Sequence, residues 1–192
     1  REINIAILEE KSVVAEGAQG EFLDVIHGTQ KFVTSSFTIA GSACANLGVG
    51  PVMVDNVVGV IKAYITRVGE GPMPTELVDS LGEQMREKGG EYGTTTGRAR
   101  RCGWFDAVLG LKSVYLNSYT EMALTKLDVL TGINPIKICV GYDLDGDTLG
   151  YPPESTTDLA RCKPIYEEVP GWTEDITEVK DYDDLPENAR DY

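Results

Sequence analysis

The chain has 192 residues, of which 42% are hydrophobic, enough for one domain with a sizeable core. Its 31 acidic and 17 basic residues give a formal net charge of -14, which argues against a nucleic-acid partner but leaves room for a small anion held by a local basic patch. Four widely spaced cysteines (Cys44, Cys102, Cys139, Cys162) form no CxxC pair and no apolar run reaches membrane-spanning length, so reduced thiols and a soluble, intracellular protein without a leader or membrane partner are expected.

Ile3–Leu8 and Val13–Glu16 are apolar runs on either side of Glu9–Lys11, and the second, read as a strand, enters Gly17-Ala18-Gln19-Gly20. A strand that ends in Gly-x-x-Gly is where many α/β proteins meet a ligand, although any tight turn uses the same glycines. Gln19 suits the edge of a base or amide, although a plain surface glutamine is the commoner explanation. His27, the sole histidine, has no acidic or cysteine partner placed to make it a general base, so a structural role is expected. The small-residue run Ala40–Gly50 either packs closely or wraps a ligand. Over Asp55–Tyr64, the spacing of Val57, Val60, Ile61 and Tyr64 predicts an amphipathic helix capped by Asp55. Ile65–Val68 reads as a strand broken by the loop Gly69–Pro74, and Ser80 with Glu83 forms a capping-box pattern for a helix that closes at Gly89 or Gly90.

Gly90–Asp106 (GEYGTTTGRARRCGWFD) has no helical or strand period. Its four glycines, the hydroxyls of Thr94, Thr95 and Thr96 and the guanidiniums of Arg98, Arg100 and Arg101 suit a loop that grips carboxylates or phosphates; a solvated basic loop is the alternative. Asp106 is then expected to cap a helix through Leu116 with Val108, Leu111 and Tyr115 on one face. Met122–Thr125 reads as a buried strand that leads into Lys126-Leu127-Asp128. A fixed carboxylate at Asp128 can accept both N–H groups of guanine, a pair adenine lacks, while an ordinary helix start explains the same residues. Ile136–Tyr142 is a further strand, and Asp145-Gly146 a hairpin turn. Asp143, Asp145 and Asp147 lack the remaining ligands of a calcium loop. Pro164–Asp184 reads as irregular acidic surface with one more strand. Leu185–Tyr192 opens a helix with no closing cap, and Arg1 is not a methionine, so the chain reads as a piece of a longer protein. The fold class expected is α/β, with a largely parallel central sheet, flanking helices and ligands at the carboxyl ends of strands.

EGAQG (Glu16–Gly20), DVIHGT (Asp24–Thr29), VTSS (Val33–Ser36), VGEGPMPTEL (Val68–Leu77), GEYGTTTGRARRCGWFD (Gly90–Asp106), LTKLDVL (Leu124–Leu130) and PIYEEVPGW (Pro164–Trp172) together resemble the adenylosuccinate synthetase family. The resemblance runs from about Val14 to Tyr192 but covers only the later half or so of the family pattern. It implies that residues 1–192 are the carboxyl-side part of a P-loop-NTPase-like domain, here incomplete. The implied reaction, in purine and AMP biosynthesis, ligates inosine monophosphate (IMP) and L-aspartate to adenylosuccinate, with GTP cleaved to GDP and phosphate through a 6-phosphoryl intermediate.

By motif, the resemblance assigns IMP to Gln19, Thr34 and Arg98. Aspartate falls to Thr94, Thr95, Thr96, Gly97, Arg98, Ala99 and Arg100, and GTP to Arg100, Lys126, Leu127 and Asp128. It further implies a cytoplasmic homodimer and Mg2+ with ligands outside this chain. The family's GDEGKGK-type loop, with its catalytic aspartate, magnesium contact and phosphate lysine, has no counterpart here. Neither do its general-acid histidine, its dimer-crossing arginine and its late Gly-Pro segment, so this chain alone is expected to be inactive. A viral-type relative that takes a deoxyguanylate acceptor, and a nucleotide-binding or assembly module without catalysis, are the alternatives.

Overall fold

In chain order, the computed structural model comprises α1 (Glu2–Leu8), α2 (Gly41–Leu47), β1 (Val58–Lys62), β2 (Ile65–Arg67), α3 (Ser80–Gly89), β3 (Arg101–Gly103), β4 (Phe105–Asp106), α4 (Ala107–Asn117), β5 (Glu121–Thr125), β6 (Ile136–Leu144), β7 (Asp147–Leu149), α5 (Thr156–Leu159), β8 (Lys163–Val169) and α6 (Glu187–Asp191). Short 3₁₀ turns lie at Glu21–Leu23, Pro51–Met53, Leu127–Leu130 and Tyr182–Asp184. The structure describes residues 1–94 and 97–192. The backbone divides into two compact units, residues 1–59 with 112–122 and residues 60–111 with 123–192.

The second unit is built on β6, whose edges hold β8 antiparallel on one side and, in succession, β4 parallel and β7 antiparallel on the other. β2 and β3 pair antiparallel, and β1 pairs with β5. The bonds of that last pair advance together in both strands, from Thr120 N to Val57 O at one end to Ala63 N to Thr125 O at the other, so it is parallel. The β4–β6 and β1–β5 pairs, each joined through a connection that contains α4, run parallel and the other pairs antiparallel, in an α/β arrangement. Asp145-Gly146 makes the expected β6–β7 turn, with both residues at positive φ (57° and 98°).

The apolar core of this unit gathers Tyr64, Met85, Cys102, Trp104, Val129, Leu130, Ile133, Ile136, Trp172, Ile176 and Ala189. α3 presents Met85 to it, and its start differs by one residue from the sequence expectation. Asp79, not Ser80, is the cap, its carboxylate accepting from Leu81 N and Gly82 N at 3.1 Å. Asp106 caps α4 as expected by accepting from Leu109 N at 3.1 Å, and its second oxygen accepts from Tyr142 OH at 2.5 Å. Burial pushes the Asp106 carboxyl above its ordinary range despite these bonds.

The first unit has a different interior. Its buried side chains are polar: Asp24, Thr29 and Asn117. Asp24 accepts from Ile26 N (2.9 Å), His27 N (3.0 Å) and Thr38 N (2.7 Å), and Asn117 joins Ala40 N (2.8 Å) to the Glu21 carboxylate (3.1 Å). His27 is fixed through its backbone, whose carbonyl accepts from Lys112 Nζ at 3.0 Å.

Several local expectations are corrected. Asp55–Tyr64 is not a helix; Val58–Lys62 is a strand. Its β-branched residues favour the pleat, and a Cβ at Gly59 would come within 2.9 Å of the Tyr119 ring, so the strand needs glycine there. Glu2–Leu8 is helical, and Val13–Glu16 holds no regular element, because no neighbouring segment supplies ladder bonds among the described residues. Glu121–Thr125 is exposed at every residue rather than buried. On α4 the buried pair is Val108 and Leu109, while Leu111 and Tyr115 are exposed, because the Asp106 cap and the β4–β6 register fix the rotation of the first turn.

Candidate functional site

α3 ends at Gly90, which takes the left-handed conformation (φ 61°) that glycine adopts without steric cost. The chain then leaves on a stem. Glu91 O accepts from Arg100 N at 2.9 Å, Tyr92 bridges Ala99, Gly93 N donates to Arg98 O at 2.8 Å, and Gly97 N donates to Gly93 O at 2.7 Å. Thr94, Gly97, Arg98 and Ala99 are exposed at its tip; Thr95 and Thr96 lie outside the described residues.

The side chains at the stem carry the electrostatics. Glu91 is 1% exposed, and its carboxylate accepts from Lys62 Nζ (2.7 Å) and Tyr64 OH (2.6 Å) on one oxygen and from Arg100 Nη1 (2.8 Å) on the other. Burial alone would raise its pKa, but the three donors outweigh that and hold the carboxyl below its ordinary range. Tyr64 is pushed up by burial and by Glu91, and the charge of Asp128 adds to the rise. Arg86 Nε donates to Arg100 O at 2.9 Å, which ties the stem back to α3.

Arg101 is spent differently from its neighbour. It donates two parallel hydrogen bonds to the Glu76 carboxylate (2.7 and 2.5 Å) and others to the carbonyls of Gly69 (3.1 Å) and Gly71 (2.8 Å), shaping the Gly69–Pro74 loop. Arg67 lies beside it, and burial together with the Arg101 charge pushes the Arg67 guanidinium down. Arg98 reaches the same loop, its Nη1 lying 3.8 Å from the position a Cβ at Gly69 would take.

Lys126, Leu127 and Asp128 hang from the same helix end. Lys126, itself left-handed (φ 62°), donates from Nζ to Gly89 O at 2.9 Å, and Lys88 Nζ donates to Thr131 O at 2.7 Å. Asp128 is half-buried, and no hydrogen bond to its carboxylate is made among the described residues, which leaves both oxygens to accept donors from a ligand. The second unit therefore brings Arg100 and Lys126 to the carboxyl end of α3, with Asp128 close enough to act on Tyr64 and Leu127 packed on the apolar core, while the Arg98 side chain lies toward the Gly69 loop. Gln19 and Thr34 belong to the first unit, where both flank the 3₁₀ turn Glu21–Leu23: Gln19 is exposed at φ 65° two residues before it, and Thr34 N donates to Leu23 O at 2.7 Å. A non-glycine residue held left-handed is a common mark of a functional turn.

Sequence reasoning missed Glu91, Lys62 and Tyr64. Glu91 sits inside a motif whose glycines and arginines dominate it, and the helical spacing over Asp55–Tyr64 puts Lys62 and Tyr64 on a helix where the structure has a strand ending at Lys62. A lone acid within a basic loop was the only available signal.

Compared with known proteins, all residues 1–192 match the family model described as adenylosuccinate synthetase. The chain is 77% identical over 191 residues to the adenylosuccinate synthetase of Methanothrix thermoacetophila, covering all of this chain and 45% of that protein. It thus spans somewhat under half the length of the curated relatives it matches. A structure of fully ligated adenylosuccinate synthetase from Plasmodium falciparum superposes with a TM-score of 0.95 at 43% identity, over 98% of this chain and 45% of that one. Succinoaminodeoxyadenylate synthetase of cyanophage S-2L, bound to dGMP and dATP, shares the fold at a TM-score of 0.53 and 23% identity, over 83% of this chain and 52% of that one.

Proposed function

Because the chain belongs to the adenylosuccinate synthetase family, we propose that the complete protein is a ligase that joins IMP to L-aspartate with GTP, in AMP biosynthesis. The purine 6-oxygen attacks the γ-phosphorus of GTP and GDP leaves. The aspartate amine then attacks C6, the C–O bond to the phosphorylated oxygen breaks, and phosphate departs with both electrons of that bond. Chemistry of this kind depends on holding the reactants in line and stabilising charge as it develops.

In this reading Gln19 and Thr34 contact IMP. Thr94, Thr95, Thr96, Gly97, Arg98, Ala99 and Arg100 form the aspartate loop, with Arg98 also near IMP and Arg100 reaching GTP. Lys126, Leu127 and Asp128 hold guanine. The carrying observation is that one helix end anchors both the threonine–arginine stem and the Lys-Leu-Asp segment, so that Arg100 and Asp128 lie near the same Glu91–Tyr64 pair. Magnesium would accompany GTP. Its ligands would lie outside this chain, in the part of the family pattern that has no counterpart here. A cytoplasmic homodimer completes the reading, and this chain by itself is taken to be inactive. No helix among the described residues is long and apolar enough to cross a membrane. The IMP acceptor is preferred to a deoxyguanylate by the higher identity and closer superposition with the Plasmodium enzyme.

The test is Asp128→Asn in the complete protein. The amide keeps one acceptor and presents a donor against a guanine N–H. With hydrogen bonds to a charged group contributing about 1.5–3 kcal/mol, kcat/KM for GTP is expected to fall at least about tenfold. Inosine triphosphate, which lacks the 2-amino group, should lose less. An unchanged preference for GTP over inosine triphosphate would remove Asp128 from the guanine site.

A further inference from the structure

Arg100 is the residue on which the stem and the proposed GTP site meet, and it is held at both ends. Its backbone N–H donates to Glu91 O at 2.9 Å, its carbonyl accepts from Arg86 Nε at 2.9 Å, and its Nη1 donates to Glu91 Oε2 at 2.8 Å. Glu91 is itself immobilised: its N–H donates to Arg86 O at 2.8 Å, and its other carboxylate oxygen accepts from Lys62 and Tyr64. The carboxylate is 1% exposed, whereas the side chains of Lys62 and Arg100 are 27% and 29% exposed. A buried charge of this kind is tolerated only when it is fully paired, and here the pairing is shared between two cations and a hydroxyl.

Two consequences follow for Arg100. Nη1 is its one guanidinium nitrogen with a bond among the described residues, so the Nε–Nη2 edge keeps the side-on fork that fits a phosphate or carboxylate. The group of Glu91, Lys62, Arg100 and neutral Tyr64 also carries a net single positive charge, so Glu91 orients Arg100 without cancelling the local attraction for an anion.

We propose that Glu91 is a positioning residue for GTP: it fixes the Arg100 guanidinium by one nitrogen and so leaves the opposite edge ordered for the nucleotide's phosphates. This rests on the reading of Arg100 as a GTP contact. A long, flexible arginine otherwise loses rotamer freedom when the ligand binds; Glu91 imposes that loss during folding, and the saving appears as affinity.

The experiment compares Glu91→Gln, Glu91→Asp, Arg100→Leu, the Glu91→Gln/Arg100→Leu double variant and Lys62→Met in the complete protein, reading KM and kcat for GTP and the melting temperature. Glu91→Gln is expected to raise KM for GTP about tenfold, equivalent to about 1.4 kcal/mol, with a smaller change in kcat. The double variant should be no worse than Arg100→Leu alone. Glu91→Asp keeps the charge but retracts it by one methylene, and should give an intermediate rise even if the Gln variant folds poorly. Lys62→Met removes a different donor and one positive charge from the same group but leaves the Glu91–Arg100 bond, so it should lower the melting temperature and raise KM less than Glu91→Gln does. If Arg100→Leu raises KM for GTP while the Glu91 variants leave it unchanged, or if the two effects multiply in the double variant, Glu91 does not act through Arg100. If Arg100→Leu leaves KM for GTP unchanged, the GTP assignment of Arg100 falls, and the inference falls with it.

Discussion

The two units of this chain are ordered by different physics. Residues 60–111 with 123–192 enclose an apolar core in which Tyr64, Met85, Cys102, Leu130, Ile136, Cys139 and Tyr142 are at most 1% exposed. Residues 1–59 with 112–122 instead bury Asp24, Thr29 and Asn117, and are held by side chains that accept or donate to backbone groups scattered along the chain. An apolar core tolerates local change through many small contacts, whereas a polar node concentrates its contribution in one residue. The first unit should therefore fail locally and by chemistry, the second globally and by volume.

Four measurements on the complete protein would break or sharpen that contrast, in descending order of effect. Ile136→Ala, at the start of β6 and fully buried, should cost about 2–5 kcal/mol and lower the melting temperature of the β6 sheet as a whole, because the cavity it leaves is enclosed on every side. A loss below about 1 kcal/mol would mean that this core is loosely packed. Asp24→Ala leaves three backbone N–H groups without their acceptor, for about 1–3 kcal/mol. Amide exchange should quicken at Ile26, His27 and Thr38 while β6 amides keep their rates; uniform acceleration would contradict a local node.

The same carboxylate predicts a pH effect. Burial works to raise the Asp24 pKa, but the backbone donors prevail and lower it. Its stabilising contribution is therefore present above the ordinary carboxylate pKa and is lost as pH falls through the depressed folded value, so those three amides should be the first to lose protection in acid.

The smallest effect has the opposite sign. Burial raises the Glu21 pKa, outweighing its bonds to Ser113 and Asn117, and one of its oxygens has no hydrogen-bond partner. A raised carboxyl stabilises the fold only at low pH, and that contribution disappears as pH rises through the folded value. Glu21→Gln should accordingly raise the melting temperature slightly at neutral pH and make no difference in acid. A clear destabilisation at neutral pH would show that the charge is wanted.

The same contrast explains what could be read in advance. α3, α4, β6, the Asp145-Gly146 turn and the Asp106 cap were legible because each announces itself through local chemistry: a cap, a left-handed glycine, an apolar run between turns. The region before residue 60 was not, since a unit organised by Asp24 and Asn117 has no hydrophobic period to follow. Val57, Val60, Ile61 and Tyr64 misled for a related reason. Helical spacing over ten residues can arise by chance, and only a partner strand reveals that β1 is extended.

By itself, the sequence determined the α/β class, the basic threonine–glycine composition of residues 90–106 and, through its ordered motifs, the family. Those depend on residue identity and short-range order. Only the tertiary structure decided that Arg101 braces a loop while Arg100 keeps an open edge, and that Lys62, Tyr64 and Arg100, up to 38 positions apart, share the Glu91 carboxylate. Two adjacent arginines are chemically identical in a sequence. Their roles diverge because each guanidinium is claimed by whichever carboxylate the fold brings within about 3 Å, a distance set by packing between remote segments.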